Sequence, residues 1–165
     1  MNTLGTFASA TVVGLISGPK GMNANLASLG TPDNLVAPLV DTSQIYQQNV
    51  AADLAERSTT VKYPSVYVYC EKYANKLTEK FRSFSGSVQM AIEVRHSQDR
   101  LDGLQDSLEL YVDSVTQVLD AERGDWGNGL YYAGGYDVSL GAVKHGGRNF
   151  LQTAKISFQI EVSRT

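Results

Sequence analysis

Catalysis near neutral pH usually draws on a few side chains whose surroundings are tuned against each other. This chain offers few of the usual ones: His96 and His145 are the only histidines, and Cys70 is the only cysteine. His96 stands in Arg95-His96-Ser97-Gln98-Asp99 at the end of an apparent strand. A Ser-His-Asp hydrolase site could be assembled there from Ser97, His96 and an aspartate. Such triads are defined by geometry and not by adjacency, however, and the sequence has no Gly-x-Ser-x-Gly elbow. The simpler reading is an ordinary strand-end histidine. His145, in Lys144-His145-Gly146-Gly147, reads as a turn residue. Cys70 and two distant histidines make no short-spaced ligand pair, so no zinc pattern can be drawn. Cys70 reads instead as a small apolar residue on the inner face of a strand. Gly124, Gly127 and Gly129 do not follow a strand and open a helix, and no Gly-Lys-Ser/Thr closes a glycine-rich loop, so neither a dinucleotide fingerprint nor a P-loop is supported. No catalytic residues, no cofactor site and no metal site are expected.

Lys72, Lys76, Lys80 and Arg82 form the one basic cluster that could meet phosphate. Glu71 and Glu79 interrupt it, and only Tyr73, Phe81 and Phe84 accompany it, so a solvated loop or a charged docking edge is the simpler reading. The tyrosines, among them Tyr131, Tyr132 and Tyr136, can cover a sheet or make subunit contacts, since each joins a large apolar area to a polar tip. The formal net charge of −3 argues against a broad basic face that grips nucleic acid. A mildly acidic surface is also one that DNA slides past without sticking. A lone cysteine allows no intramolecular disulfide, which fits a reducing compartment or a particle assembled inside one. The apolar run Ala10–Ile16 has no preceding positive region and falls far short of the roughly 20 apolar residues of a membrane span. It is expected to be helix and not signal peptide, in a chain that stays in the cytoplasm of the cell making it.

Periodicity gives the elements that must hold these side chains. Leu4, Phe7, Thr11, Val12, Leu15 and Ile16 recur at near-helical spacing, weakened by Gly5 and Gly14 at up to about 1 kcal/mol each. Gly18-Pro19-Lys20-Gly21 stops that helix, and residues 18 to 40 read as a long arm able to reach a neighbour. Asp41 and Gln44 resemble a capping box opening a helix from Ser43 to Glu56, with an extended path as the alternative. From Tyr63 a strand begins in which Val66, Val68 and Cys70 alternate with Tyr67, Tyr69 and Glu71. After a charged connection, Val88, Met90, Ile92 and Val94 turn inward while Gln89, Ala91, Glu93 and Arg95 turn outward. Leu101, Leu104, Leu108, Val112, Val115 and Leu119 then form the clearest helical stripe. Gly124 to Gly129 ends it and leads towards a hairpin. Two last strands follow, over Leu130–Val143 and Thr153–Ser163. The expected fold is α+β: a single, mainly antiparallel four-stranded sheet with helices packed on its aliphatic face. Residues 1–60 form an N-terminal helix and extended arm, and residues 61–165 an α+β core, together one structural domain. Glu93, Arg95, Gln159 and Glu161 lie on the second face, which can meet solvent, a partner or an aqueous channel.

Several stretches, taken in order, resemble a known family. They are Tyr63-Pro64-Ser65-Val66-Tyr67-Val68-Tyr69-Cys70, Glu79-Lys80-Phe81-Arg82-Ser83-Phe84-Ser85-Gly86, Ile92-Glu93-Val94-Arg95-His96-Ser97, Tyr111-Val112-Asp113, Arg123-Gly124-Asp125-Trp126-Gly127, Gly134-Gly135-Tyr136-Asp137-Val138 and Gly146-Gly147-Arg148-Asn149-Phe150. In order and spacing they resemble the tail-terminator (neck, or tail completion) proteins of tailed bacteriophages, over residues 60 to 165. The resemblance implies a structural virion protein, a homo-oligomer forming a hexameric ring on the last ring of the tail tube. Such a ring stops tube growth, offers the head-tail connector or head-closure protein a docking surface, and lets DNA through its lumen without specific binding. It implies no cofactor and no membrane, and assembly in the host bacterial cytoplasm. Within it, Glu93 and Glu161 would border the lumen or a subunit seam. Trp126, flanked by glycines, would anchor an interface together with Tyr131 and Tyr132. The alternatives are another neck component (an adaptor, head-closure or minor tail protein) and a small hydrolase built on His96.

Overall fold

The computed structural model describes residues 3–32, 35, 37–57, 61–146 and 149–165. Helices α1 (Leu4–Ser17) and α2 (Met22–Leu29) come first, then a 3-10 turn (Thr42–Gln44), a short strand β1 (Ile45–Tyr46) and the short helix α3 (Ala52–Glu56). The long strands β2 (Ser65–Asn75) and β3 (Phe84–Gln98) lead into α4 (Leu104–Ala121). Four short strands follow, β4 (Gly124–Gly127), β5 (Leu130–Tyr132), β6 (Asp137–Leu140) and β7 (Lys144–Gly146), before the long β8 (Asn149–Arg164). Of the motif at residues 146–150, Gly147 and Arg148 lie outside the described residues.

The class is α+β, but the four-stranded, mainly antiparallel sheet is not what forms. Among the described residues the sheet has eight strands, in the order β1-β2-β3-β8-β5-β4, with β6 and β7 also paired to β8. It is mixed, because β1 runs parallel to β2. The strand expected over Leu130–Val143 is broken up, so β5, β6 and β7 line one edge of β8 in succession. The break has a local cause. Gly134 and Gly135 sit at φ of 103° and 89°, where a side chain is strained, and the Tyr132 phenol donates to the Gly135 carbonyl at 2.9 Å. Upstream, Asn128-Gly129 has both residues at positive φ, 54° and 83°. That is the two-residue turn favoured in tight hairpins, so residues 124–132 build a hairpin of their own from β4 and β5.

The three long strands behave as their alternation demands. β3 pairs with β8 without interruption from Phe84↔Arg164 to Gln98↔Phe150, and β2 pairs with β3 on the other side. Val66, Val68, Val88, Met90, Ile92, Val94, Ile156, Phe158 and Ile160 all fall on one face and are buried there. The helices cover that face, α4 over β3 and β8, and α1 over β2. On α4, Leu104, Leu108, Tyr111, Val112, Val115 and Leu119 are buried. Leu101 is not part of the helix, which starts one residue after Gly103 (φ 77°), and Leu101 is 57% exposed.

The described part of the arm expected over residues 18 to 40 is instead fastened down, residues 33, 34 and 36 lying outside the described residues. It contains α2, whose Met22 and Leu26 are buried, and α2 packs against α4. Asn25 Nδ2 donates to the Ser114 carbonyl at 2.9 Å. Asn23 exchanges two hydrogen bonds with the backbone of Val40, and the Tyr111 phenol donates to the Pro38 carbonyl at 2.8 Å. The capping box forms, with the Asp41 carboxylate accepting from the Ser43 amide and the Gln44 side chain from the Asp41 amide. It opens only the 3-10 turn, after which the chain extends into β1, so no continuous helix runs from Ser43 to Glu56.

Leu108 is fully buried between helix and sheet. Leu108→Ala should cost about 2–5 kcal/mol, and Leu108→Asp should abolish cooperative folding. Leu101→Ala should be close to neutral, all three read from urea melts followed by circular dichroism.

Candidate functional site

The second face of the sheet is the surface left uncovered by the helices, and it divides into two unlike halves. On the half nearer β1, several side chains that alternation points outward are withdrawn from solvent. Tyr67, Ala91 and Arg95 are buried, at 2%, 0% and 2% exposure. Tyr46 stacks on Tyr67, with ring centroids 4.9 Å apart and planes at 21°. The Arg95 guanidinium lies over the Tyr67 ring at 4.0 Å, a cation-π contact in a desolvated setting. Its Nη2 donates to the Val50 carbonyl and, at 2.6 Å, to Glu93. The Tyr69 phenol donates to the other oxygen of Glu93 at 2.7 Å. Burial first, and then the bond to Glu93, hold the Tyr69 hydroxyl protonated well above its ordinary range. Glu93 is therefore partly covered, with its two carboxylate oxygens paired to Arg95 and Tyr69.

The other half is open and polar. Ser87 pairs with Glu161, Gln89 with Gln159, and Tyr131 with Glu161, which sets these residues side by side on the second face. Gln159 and Glu161 are exposed, and Tyr131 is 48% exposed. They line a concavity of about 490 Å³ together with Lys76 and Glu79. A Lys155–Glu71 ion pair crosses the face next to it.

The aromatic residues expected at an interface separate in the same way. Tyr131 is at the surface, whereas its neighbour Tyr132 points the opposite way and is fully buried, edge-on to Phe158. Tyr132 is a core residue. Trp126 is half-buried in β4, packs on Tyr132 at 5.4 Å and donates from Nε1 to the Glu122 carbonyl at 2.6 Å. It braces the end of α4 against the β4–β5 hairpin and is not a side chain on an open loop.

The basic cluster lies on the hairpin between β2 and β3. Every residue from 71 to 83 is exposed, so the hairpin stands clear of the core. Lys72, Lys76 and Lys80 carry no ion pair among the described residues, and Arg82 meets Glu79 at 3.5 Å. Two apolar side chains share this tip, Leu77 at 62% and Phe81 at 98% exposure. Phe81 passed in the sequence as one aromatic beside a basic run; isolated among polar neighbours, outside either strand's alternation, it had no inward face to occupy.

The structure does not assemble the hydrolase arrangement. His96 is buried beneath α4, its ring 5.5 Å from that of Tyr111, and neither ring nitrogen meets a hydrogen-bond partner in good geometry. Ser97, next along the strand, points to the opposite face. Burial lowers the His96 pKa from its ordinary 6.5, with Gln98 offsetting part of the effect. His145 is exposed and edge-on to Phe150. Cys70 packs on the inner face against the core, where burial raises its thiol pKa. Among the described residues no three His, Cys, Asp or Glu side chains gather to hold a metal ion, and no helix is long and apolar enough to cross a membrane. No protein-family model matches the chain, and no curated protein matches it either.

Glu93→Gln would leave the Arg95 cation buried without its counter-charge, at a cost of about 3–5 kcal/mol. Adding Arg95→Met should recover part of the loss in a double-mutant cycle of urea melts. For His96 the sign follows from a folded-state pKa below the unfolded value: stability is full above pH 6.5 and falls as the pH drops below it. The limiting slope is about 1.4 kcal/mol per pH unit, and His96→Gln should flatten it between pH 6.5 and 5, read from urea midpoints.

Proposed function

We propose that this chain is a structural neck protein of a tailed bacteriophage, which caps the end of the tail tube as a ring, ends tube growth and offers the head its docking surface. The observation that carries the reading is the pairing of an open polar sheet face with a hairpin that projects apolar and basic side chains into solvent. A subunit built for a lumen and for neighbouring copies needs both. The order of motifs over residues 60 to 165 supports the same reading. In it, Gln159 and Glu161 line the lumen, where a carboxylate repels passing phosphates. Glu93 has no part in that lining, because Arg95 and Tyr69 occupy it. The partners are further copies of the chain, the tube protein and the connector or head-closure protein, and the place of action is the virion neck.

Deleting the gene in a phage that keeps every other tail and head gene should give tails longer than normal and without heads, measured by negative-stain electron microscopy. Tails of normal length that lack heads would assign the chain to the connector side of the joint. Purified chain added to isolated tubes should appear as a ring on one end.

A further inference from the structure

The hairpin tip is unusual in being both rigid and unsatisfied. Asn75 ties it together: its side-chain oxygen accepts from the amides of Leu77 and Ser85, and its Nδ2 donates to the Ser83 carbonyl. The Glu79 amide donates to Ser85 Oγ at 3.0 Å, and the Ser83 amide to the Arg164 carbonyl at 2.9 Å. Leu77 and Phe81 sit at φ of 48° and 61°, a strained region for residues with side chains, so these bonds hold them where the chain alone would not. A stapled loop holding a Phe that is 98% exposed is an anchor with most of its ordering cost already met.

A matching recess exists elsewhere on the same surface. Between α4 and β6 lies a groove of about 390 Å³ with Tyr136, Val138 and Leu140 on one wall and Glu109 and Asp113 on the other. Val138 and Leu140 are about 40% exposed, as the values of 41% and 39% show. The outer face of α4 carries Asp106, Glu109, Asp113 and Asp120, and the helix contains no lysine or arginine. None of these acids has an ion pair among the described residues. The tip offers Lys76 and Lys80 beside Leu77 and Phe81, with Lys72 lower on the hairpin arm, so charge and apolar character both match. One molecule cannot make the contact with itself. β6 pairs with β8 residues 154–157, whereas the hairpin root pairs with Arg164, seven or more positions along the strand, or about 23 Å.

We propose that Phe81 and the lysines of one copy seat in the α4–β6 groove of the next copy. Tip and groove are different patches, so the contact is head-to-tail, the type that closes into a ring when its rotation permits. The inference rests on the ring reading and specifies how the ring is joined.

The test uses the full chain with Phe81→Ser as a blocked tip and Glu109→Lys/Asp113→Lys as a blocked groove, all at exposed positions. Melting curves should match the wild type. Native mass spectrometry and electron microscopy, on the chain alone and at tube ends, should show rings for the wild type. Each variant should need about 30-fold more protein to associate, the weight of a lost aromatic anchor. Mixing the two variants should give one-to-one dimers that grow no further, since one intact tip meets one intact groove. Wild-type rings unaffected by either variant would overturn the docking contact and leave the ring reading standing. Loss of binding to the tube or connector, with rings intact, would overturn it in favour of a different partner at the tip. A wild-type chain that never forms rings would overturn both.

Discussion

Everything in this fold hangs on the ladder between β3 and β8. Its register is continuous from Phe84↔Arg164 to Gln98↔Phe150, so the alternation of each strand adds to that of the other along their whole length. Slipping the pairing by one residue would exchange Met90, Ile92, Phe158 and Ile160 for Gln89, Ala91, Ser157 and Gln159 under α4, which the helix stripe cannot accept. Because α4 spans both strands, helix and ladder each fix the other. The remaining elements attach to this unit: β2 and α1 at one side, β5, β6 and β7 in turn along the far edge of β8, and α2 on α4.

The same ladder generates the second face, and what becomes of that face depends on what the neighbouring chain does. Near β1, Tyr46 and the Val50 carbonyl close over Tyr67 and Arg95, converting outward positions into a small secondary core with a charge pair inside. Towards the β2–β3 hairpin nothing comparable covers Gln159 and Glu161 among the described residues. The chain thus uses half of this face for its own stability and leaves the other half open.

The long periodic elements were legible in the sequence because each reports its own burial. The stripe of α4 and the alternation in β2, β3 and β8 place most of the core, while α1, α2 and β5 supply most of the rest. What failed depends on contacts distant in sequence. Met22 and Leu26 are too few to mark α2, and the helix is held by Asn25 bonding to Ser114. The break after β5 comes from two glycines at positive φ, which a run of hydrophobic and tyrosine residues disguises. At the site, Glu93 and Arg95 were placed on the correct face by alternation, but the burial of Arg95 requires Tyr67 and Val50. Tyr131 and Tyr132 differ by one position and hence by one face, and composition alone cannot separate them. Phe81 could be seen in the sequence, while its exposure could not, since that follows from how far the hairpin stands off the core.

The outer rim of β2 carries a further consequence. Beyond Tyr67 that rim has no strand beside it among the described residues, and unpaired backbone of this kind invites uncontrolled stacking of foreign strands. The irregularity between Cys70 and Lys72 interrupts the rim and puts Glu71 and Lys72 at the break. A newly arriving chain finds neither a straight row of amides and carbonyls nor an uncharged lane to lie in. Copies can then gather in large numbers inside a cell without zipping edge to edge, and encounters are left to side chains, which can be matched, regulated and undone.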